Sequence, residues 1–424
     1  MMLHFTVPFY KVIFLITQVV VTILTVAYFN QIFHIVMSLV LPKKCWKNAS
    51  KDHKYAFVIS ARNEEAVIGE LLDSIKAQDY PAEKLSVFVV ADNCTDATAA
   101  VAAEKGAIVF QRTDPTLRGK GYALDYAFKK IMSEYGHMGI EGYFIFDADN
   151  IASKDFVTQM NKVFDCGEEV IMGFRCPKNY SDNWLAGTSS YMHLREARQI
   201  NFGRSSLGIG TFTSGTGYLI SARYIKEVGG WPYTTTLTED LEISTVVCAK
   251  DGKVEFCPDA IFYDEQPVRF RDFFRQRLRW AKGNHQVFFT KGAELYRSFL
   301  RKPSLTKWGM MMHITPIPAF SFIWFILYTV LGLVWAAFNP MPYEVFNSEF
   351  LSFCISNWVY PLIMAYFCSF VLVFQCMPYI DAPKWKQFLY IFLFPFSMYL
   401  FVPITIAALF MKVEWKPIQH KQST

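Results

Sequence analysis

The sequence predicts an α/β domain, a parallel sheet covered by helices on both faces, set between membrane-spanning segments at either end of the chain. Three observations predict it. A largely polar centre separates two long apolar stretches. Within that centre, short apolar runs that read as buried strands alternate with helical patterns. Two of the runs end abruptly in acid, at Asp92 and Asp147.

The first apolar stretch, residues 9–41, carries only Lys11 and a few uncharged polar side chains. It exceeds the roughly 20 residues that a span needs. It also far exceeds the ~7–15-residue core of a signal peptide, and no small-residue cleavage site follows. It reads as an anchor.

The centre opens on Tyr55-Ala-Phe-Val-Ile-Ser, a buried strand, and Ala61-Arg-Asn-Glu-Glu leads into a helix over 66–77. A second strand over 86–91 reaches Asp92, a helix over 97–105 follows, and then a strand over 107–111. The apolar run 142–146 ends at Asp147. In a parallel sheet, ligands bind at the carboxyl ends of the strands, which is where both acids fall.

After residue 300 the chain is apolar again, with spans predicted at 320–338, 353–376 and 388–411. The piece 308–316 follows Arg297, Arg301, Lys302 and Lys307 and contains Pro316. It reads as an interfacial helix or as the start of a longer span. Trp308, Trp324, Trp335, Trp358 and Trp385 gather at the predicted edges, as an aromatic belt would. The chain thus divides into an anchor (1–50), a central domain (51–300) and a C-terminal membrane region (301–424).

Charge orients this layout. Lys43, Lys44, Lys47, Lys51 and Lys54 follow the anchor, so the central domain is expected in the cytosol. Residues 339–352 carry Glu344 and Glu349 but no Lys or Arg, which places them outside, and Lys384 and Lys386 place the next connection inside. The last span would then leave Lys412, Lys416 and Lys421 outside, against the rule, unless Pro395 and Pro403 mark a broken or re-entrant helix.

The nine cysteines show no CxxC or Cys/His cluster, which disfavours structural zinc, and in a reducing compartment they need no pairing. Asn48, Asn93 and Asn179 match the glycan acceptor pattern, but a cytosolic domain would not meet that machinery. A net charge of +5 without a concentrated basic run suits anionic lipid and an anionic nucleotide and does not argue for nucleic acid. The near absence of charge in the spans counts against a transporter, whose sites usually carry ionisable groups in the membrane.

Several motifs carry chemistry, and each has a plainer reading beside it. Asp147-Ala-Asp149 sets two carboxylates one residue apart after a strand, a pattern that can meet a hard divalent cation or be a solvated acidic turn. Arg118-Gly-Lys120-Gly-Tyr frees the backbone to approach a phosphate and supplies an ammonium, or is a surface turn. Asp92 fits a ligand contact or a helix cap, since Asp96 nearby can cap as well. Thr238-Glu239-Asp240 fits a positioned base or simple helix initiation capped by Thr238. In Gln276-Arg-Leu-Arg279-Trp280, a helix puts Gln276, Arg279 and Trp280 on one face. Arg279 can fork onto a diphosphate and the indole can stack on a sugar, or the segment 269–282 is a basic helix lying on the membrane.

In this order, on a membrane-bracketed domain, the motifs resemble the family 2 glycosyltransferases that build cellulose, hyaluronan, chitin and poly-N-acetylglucosamine. The resemblance covers about residues 55–300 well. It implies a GT-A-like (Rossmann-like) catalytic domain at the cytosolic face of a bacterial plasma membrane. It further implies an inverting transferase using a UDP-sugar, UDP-N-acetylglucosamine (UDP-GlcNAc) or UDP-glucose (UDP-Glc), with Mg²⁺ or Mn²⁺. By the same resemblance, Asp92 and Lys120 contact the donor and Asp147 and Asp149 hold the metal. Asp240 is the base, Glu239 and Gln276 contact substrate, Arg279 meets the diphosphate and Trp280 the acceptor. Thr213-Ser-Gly-Thr-Gly217 stands where the synthases carry a Cys-Gly-Ser type loop, a departure that leaves the acceptor open. The acceptor is expected to be a growing β-linked glycan passed between the membrane helices. The alternative is a single sugar added to a lipid carrier or glycolipid. Few spans follow the domain, so a homodimer or a small membrane partner would complete a channel. The tail 414–420, with Trp415 and His420, is a further candidate for a place near the site.

Overall fold

The computed structural model describes residues 3–338 and 351–413. Strands β1 (Tyr55–Ala61), β2 (Leu85–Asp92), β3 (Ile108–Arg112), β4 (Gly142–Asp147), β5 (Ile151–Ala152), β6 (Val170–Pro177), β7 (Tyr218–Ser221) and β8 (Val254–Asp264) form one sheet in the order β3-β2-β1-β4-β7-β6-β8-β5. The expected parallel sheet is a mixed one. β7 runs antiparallel to both β4 and β6, and β5 antiparallel to β8. The other strands share one direction, so their carboxyl ends lie along one edge. The chain enters β7 from a loop rather than from a crossover helix, so nothing holds it to the parallel direction. Gly217 turns the chain there at φ 69°, and a Cβ would stand 2.2 Å from the Phe262 ring.

β1 and β4 are buried almost throughout, the pattern of a sheet covered on both faces. Phe57 and Phe144 stack with centroids 4.8 Å apart, and Phe146 meets Phe156 and Phe262 edge-on. Truncating a ring such as Phe144 to alanine would cost about 3–5 kcal/mol.

The helices are α1 (Leu3–Val40), α2 (Ile68–Lys76), α3 (Thr98–Glu104), α4 (Lys120–Glu134), α5 (Phe156–Asp165) and α6 (Trp184–Arg195). A π-helical turn, Glu196–Asn201, joins α6 to α7 (Phe202–Ser206). Then come α8 (Ala222–Glu227), α9 (Glu239–Ala249), α10 (Phe270–Arg301), α11 (Leu305–Ile314), α12 (Ile317–Phe338), α13 (Ser352–Cys376) and α14 (Lys384–Phe410).

Three helical stretches, Leu15–Val40, Val359–Tyr379 and Lys384–Phe410, are long and apolar enough to cross a membrane. α11 and α12 qualify only as a bent pair, with a 57° angle between them. Pro316, which has no N–H to donate, sits at that break. Of the two alternatives for the last span, a continuous or a broken helix, the structure has the continuous one: α14 runs unbroken through Pro395 and Pro403, as membrane helices tolerate when neighbouring groups satisfy the freed carbonyls. Residues 339–350, with Glu344 and Glu349, and residues from 414 on, with Trp415, Lys416, His420 and Lys421, lie outside the described residues.

Specific contacts tie the long apolar helices to the sheet domain. Tyr191 Oη donates to Gln387 O at 3.0 Å, and Arg198 to Ser38 O at 3.2 Å. Gly187 lies so close to the Tyr390 ring that a Cβ would fall 2.1 Å from it, so any larger residue would push α14 off α6.

Candidate active site

The shared strand edge carries Asp92 at the end of β2, Asp147 at the end of β4, Arg175 near the end of β6 and Asp264 at the end of β8. Over this edge lies a cavity of about 2620 Å³ that continues among α1, α12, α13 and α14. Asp92, Lys120, Asp147, Asp149, Glu239, Asp240, Gln276, Arg279 and Trp280, the nine residues singled out from sequence, all line it.

Asp92 is not a bare helix cap. Asp96 takes that role, accepting the Thr98 N–H at 3.1 Å and its hydroxyl at 2.6 Å. Asp92 instead receives the Arg112 guanidinium at 2.5 Å and the Asn93 amide at 2.9 Å, Arg112 being its register partner on β3. Burial pushes the Asp92 carboxyl above its ordinary pKa, with Arg112 opposing.

Lys120, the first residue of α4, donates to Asp147 Oδ1 at 2.5 Å and to Gly215 O at 2.6 Å, and lies 3.9 Å from Glu239 Oε1. Burial works against its charge, but Asp147, Glu239 and Asp240 outweigh it and hold the pKa above the usual lysine value. The ammonium therefore bridges the acidic loop and the acids of α9.

The loop bearing Asp147 and Asp149 is fixed from beneath. The Asp147 N–H donates to Thr216 Oγ1 at 2.9 Å, and the Thr216 hydroxyl donates to Asn150 Oδ1. Asn150 Nδ2 reaches Asp264 at 2.8 Å and Asp149 at 3.3 Å. Asp264 is itself gripped by Arg175 at 2.6 Å and by the Gln266 amide. No cluster of three or more His, Cys, Asp or Glu side chains poised around a cation exists among the described residues. Two carboxylates nonetheless suit Mg²⁺ or Mn²⁺, because such ions take one or two protein carboxylates and complete their shell with phosphate and water. The ammonium seated on Asp147 shows that this carboxylate meets a cation facing the cavity.

Glu239 and Asp240 form the first turn of α9. The plainer reading of a Thr238 cap does not hold: its side chain makes no capping bond and packs beside Gly283. Burial raises the Asp240 carboxyl, opposed by the Leu241 N–H, Lys120 and Arg279. Burial likewise raises Glu239, with Lys120 opposing and Asp240 adding to the rise. The Thr213 and Ser244 hydroxyls hold the Asp240 carbonyl at 2.8 and 2.9 Å.

On α10, Gln276, Arg279 and Trp280 face the cavity together. Arg279 donates to Leu237 O at 3.3 Å. The Arg277 guanidinium lies 4.5 Å from the Trp280 ring centre, so part of the indole is already occupied. Burial lowers the Arg277 pKa to about 9.

Sequence reasoning missed Arg175, His193, Glu196, Asp264 and Arg277, which also line the cavity. Arg175 and Asp264 had a usable signal, since each stands at the carboxyl end of a strand. His193, Glu196 and Arg277 had none, because only the tertiary fold turns them inward.

A mixed sheet with acids along its carboxyl edge and a cavity above them defines a Rossmann-like α/β domain of the GT-A class. Residues 53–283, more than half of the chain, match the family described as "Glycosyltransferase like family 2", and the chain belongs to it. It is 25% identical over 278 residues to the probable glycosyltransferase YdaM of Bacillus subtilis, covering 61% of this chain and 61% of that one. It is 28% identical to a beta-monoglucosyldiacylglycerol synthase of Synechocystis sp., covering 54% and 48%. To a poly-beta-1,6-N-acetyl-D-glucosamine synthase of Staphylococcus epidermidis it is 23% identical, covering 72% and 70%. The chain spans 48–70% of the length of these relatives.

Proposed function

We propose that the protein is an inverting, metal-dependent glycosyltransferase at the cytosolic face of a bacterial plasma membrane, moving sugar from a UDP-sugar to a growing β-linked glycan. One observation carries this reading. A single cavity holds Lys120 and Asp147, passes Asp240 and Trp280, and continues among the membrane helices. Donor, base and acceptor route therefore meet in one space.

Asp92 and Lys120 would hold the donor, with Arg279 on its diphosphate. Asp147 and Asp149 would hold Mg²⁺ or Mn²⁺, whose charge offsets that of the leaving diphosphate. Asp240 takes the proton from the acceptor hydroxyl, an ability conferred by its place at a rigid helix start beside Lys120. Glu239 and Gln276 contact substrate, and Trp280 offers the acceptor its remaining apolar surface.

The runner-up acceptor is a lipid or lipid-linked sugar. It is favoured by the wall of the inner cavity, to which Val21, Leu24, Phe322, Phe325, Met364 and Leu372 contribute apolar surface. The test is UDP release by membranes containing the full chain, across UDP-GlcNAc and UDP-Glc, with Mg²⁺ or Mn²⁺. No release from either donor sinks the transferase reading. Sizing the product separates polymer from glycolipid.

A further inference from the structure

We propose that His193 and Glu196 form an acceptor-reading pair, two side chains one helical turn apart that hydrogen-bond the hydroxyls of a neutral sugar lying against Trp280. The inference rests on the transferase reading above and assigns to this chain's own residues the chemistry of its acceptor.

His193 is buried, with 6% of its surface exposed, yet it lines the cavity. Neither ring nitrogen has a hydrogen-bond partner among the described residues. Its ring meets Trp280 edge-on, with centroids 5.6 Å apart and planes at 78°. Leaving buried polar groups unpaired is costly, so a native fold retains them where something else supplies the partner. Burial and the charges of Arg175 and Arg277 keep this imidazole neutral. A neutral ring offers one donor and one acceptor, the same pair that a sugar hydroxyl offers in return.

Glu196 follows three residues on, at the start of the π-helical turn Glu196–Asn201. Such turns widen a helix locally and often mark functional sites. The Glu196 carboxyl lies beside Ser214 and in the field of Arg175, Asp240 and Arg195. The pair thus links the tryptophan end of the acceptor space to the base. The arginines nearby are committed elsewhere: Arg175 grips Asp264 and Ser214 O, and Arg277 packs on Trp280 and Phe273. At this junction an anionic headgroup would meet the Glu196 carboxyl. A neutral, hydroxyl-bearing acceptor fits.

The test uses the full chain in lipid nanodiscs with two independent readouts. Binding of cellobiose and chitobiose is followed by saturation-transfer NMR, and turnover by UDP release from UDP-Glc or UDP-GlcNAc. His193→Phe keeps a ring on Trp280 but removes both nitrogens. Its expected effect is a loss of at least about tenfold in disaccharide affinity, the size of one good hydrogen bond. The acceptor KM should rise in step, while UDP binding and kcat stay within about threefold. His193→Gln, which restores a donor and an acceptor, should recover most of the loss, and Glu196→Gln should weaken binding severalfold. Wild-type binding by His193→Phe overturns the proposal, as does an equal loss in His193→Phe and His193→Gln, which would show packing alone. A wild type that binds neither disaccharide also overturns it. If UDP release is absent but disaccharide binding depends on His193, the transferase reading falls, and with it the acceptor role, leaving His193 and Glu196 as a saccharide-binding pair. UDP release together with disaccharide binding that is indifferent to His193 leaves the transferase reading in place and removes the acceptor-reading pair.

Discussion

The two ends of the cavity are built by different physics. At the sheet edge, charges are held in pairs: Asp92 with Arg112 at 2.5 Å, Lys120 with Asp147 at 2.5 Å, Asp264 with Arg175 at 2.6 Å. Among the apolar helices, several polar side chains of the wall bond within their own helix. Thr25 donates to Val21 O at 2.8 Å, Ser369 to Ala365 O at 2.7 Å and Thr405 to Phe401 O at 2.8 Å. One end is preorganised for a particular charge distribution, which is how electrostatic catalysis works. The other is a lining with few committed donors and can accept more than one guest. Under the proposed function, the difference assigns the reaction to the sheet edge and acceptor choice to the junction around Trp280, His193 and Arg277.

The sharpest way to break this comparison is Asp240→Asn. A positioned base contributes roughly 10²–10⁴-fold, so kcat should fall by about that factor while UDP affinity stays within threefold. Rates near wild type, measured by UDP release, would move the chemistry elsewhere in the cavity. Next in size is the cation. Chelation, or Asp149→Asn, should lower turnover by about 10²-fold or more, since the ion is worth several kcal/mol of charge stabilisation. Restoration by Mn²⁺ or Mg²⁺ in the wild type but not in the variant would tie the effect to this loop.

The same contrast explains what was legible in the sequence. Asp92 and Asp147 could be read because an apolar strand that stops at an acid is a local pattern, and the carboxyl-end rule gives it a place. Gln276, Arg279 and Trp280 could be read because helical spacing alone puts them on one face. β7 could not be read as antiparallel, because strand direction depends on which strand it joins, and its four residues carry no sign of that. His193 and Glu196 were invisible for a related reason. They sit in an ordinary helical pattern, and only packing against α10 and the Thr213–Gly217 loop gives them a role. Thr238 misled: a threonine before two acids looks like a cap, but close packing on Gly283 draws its hydroxyl away.

The pairing at the sheet edge can be tested through stability. Asp264→Asn would leave the Arg175 guanidinium buried without its counter-charge, a change worth about 3–5 kcal/mol. A clear fall in Tm is expected, together with weaker metal response, because Asn150 loses an anchor under Asp149. Replacing both partners, Arg175→Met with Asp264→Leu, should recover much of the Tm but not the turnover. Recovery of both would show that the pair serves packing alone.

The smallest expected effect concerns pH and joins the two ends. Burial pushes Glu196 from 4.5 up to about 7, and it raises Glu239 and Asp240 as well. A carboxyl whose folded pKa lies above its unfolded value binds more protons in the folded state. Its stabilising share is complete below the unfolded pKa and is lost as pH rises through the folded one. Stability should therefore decline between about pH 4.5 and 7. Turnover should climb over a range above that of ordinary carboxylates, because Asp240 must be ionised to accept a proton. Glu196→Gln removes one of the raised groups and should make Tm fall less steeply with pH over that window. Its acid limb of kcat should stay in place, since that limb belongs to Asp240. A shift of the limb together with the slope would mean that the two carboxyls titrate as one unit, and that the acceptor junction and the base are a single electrostatic site.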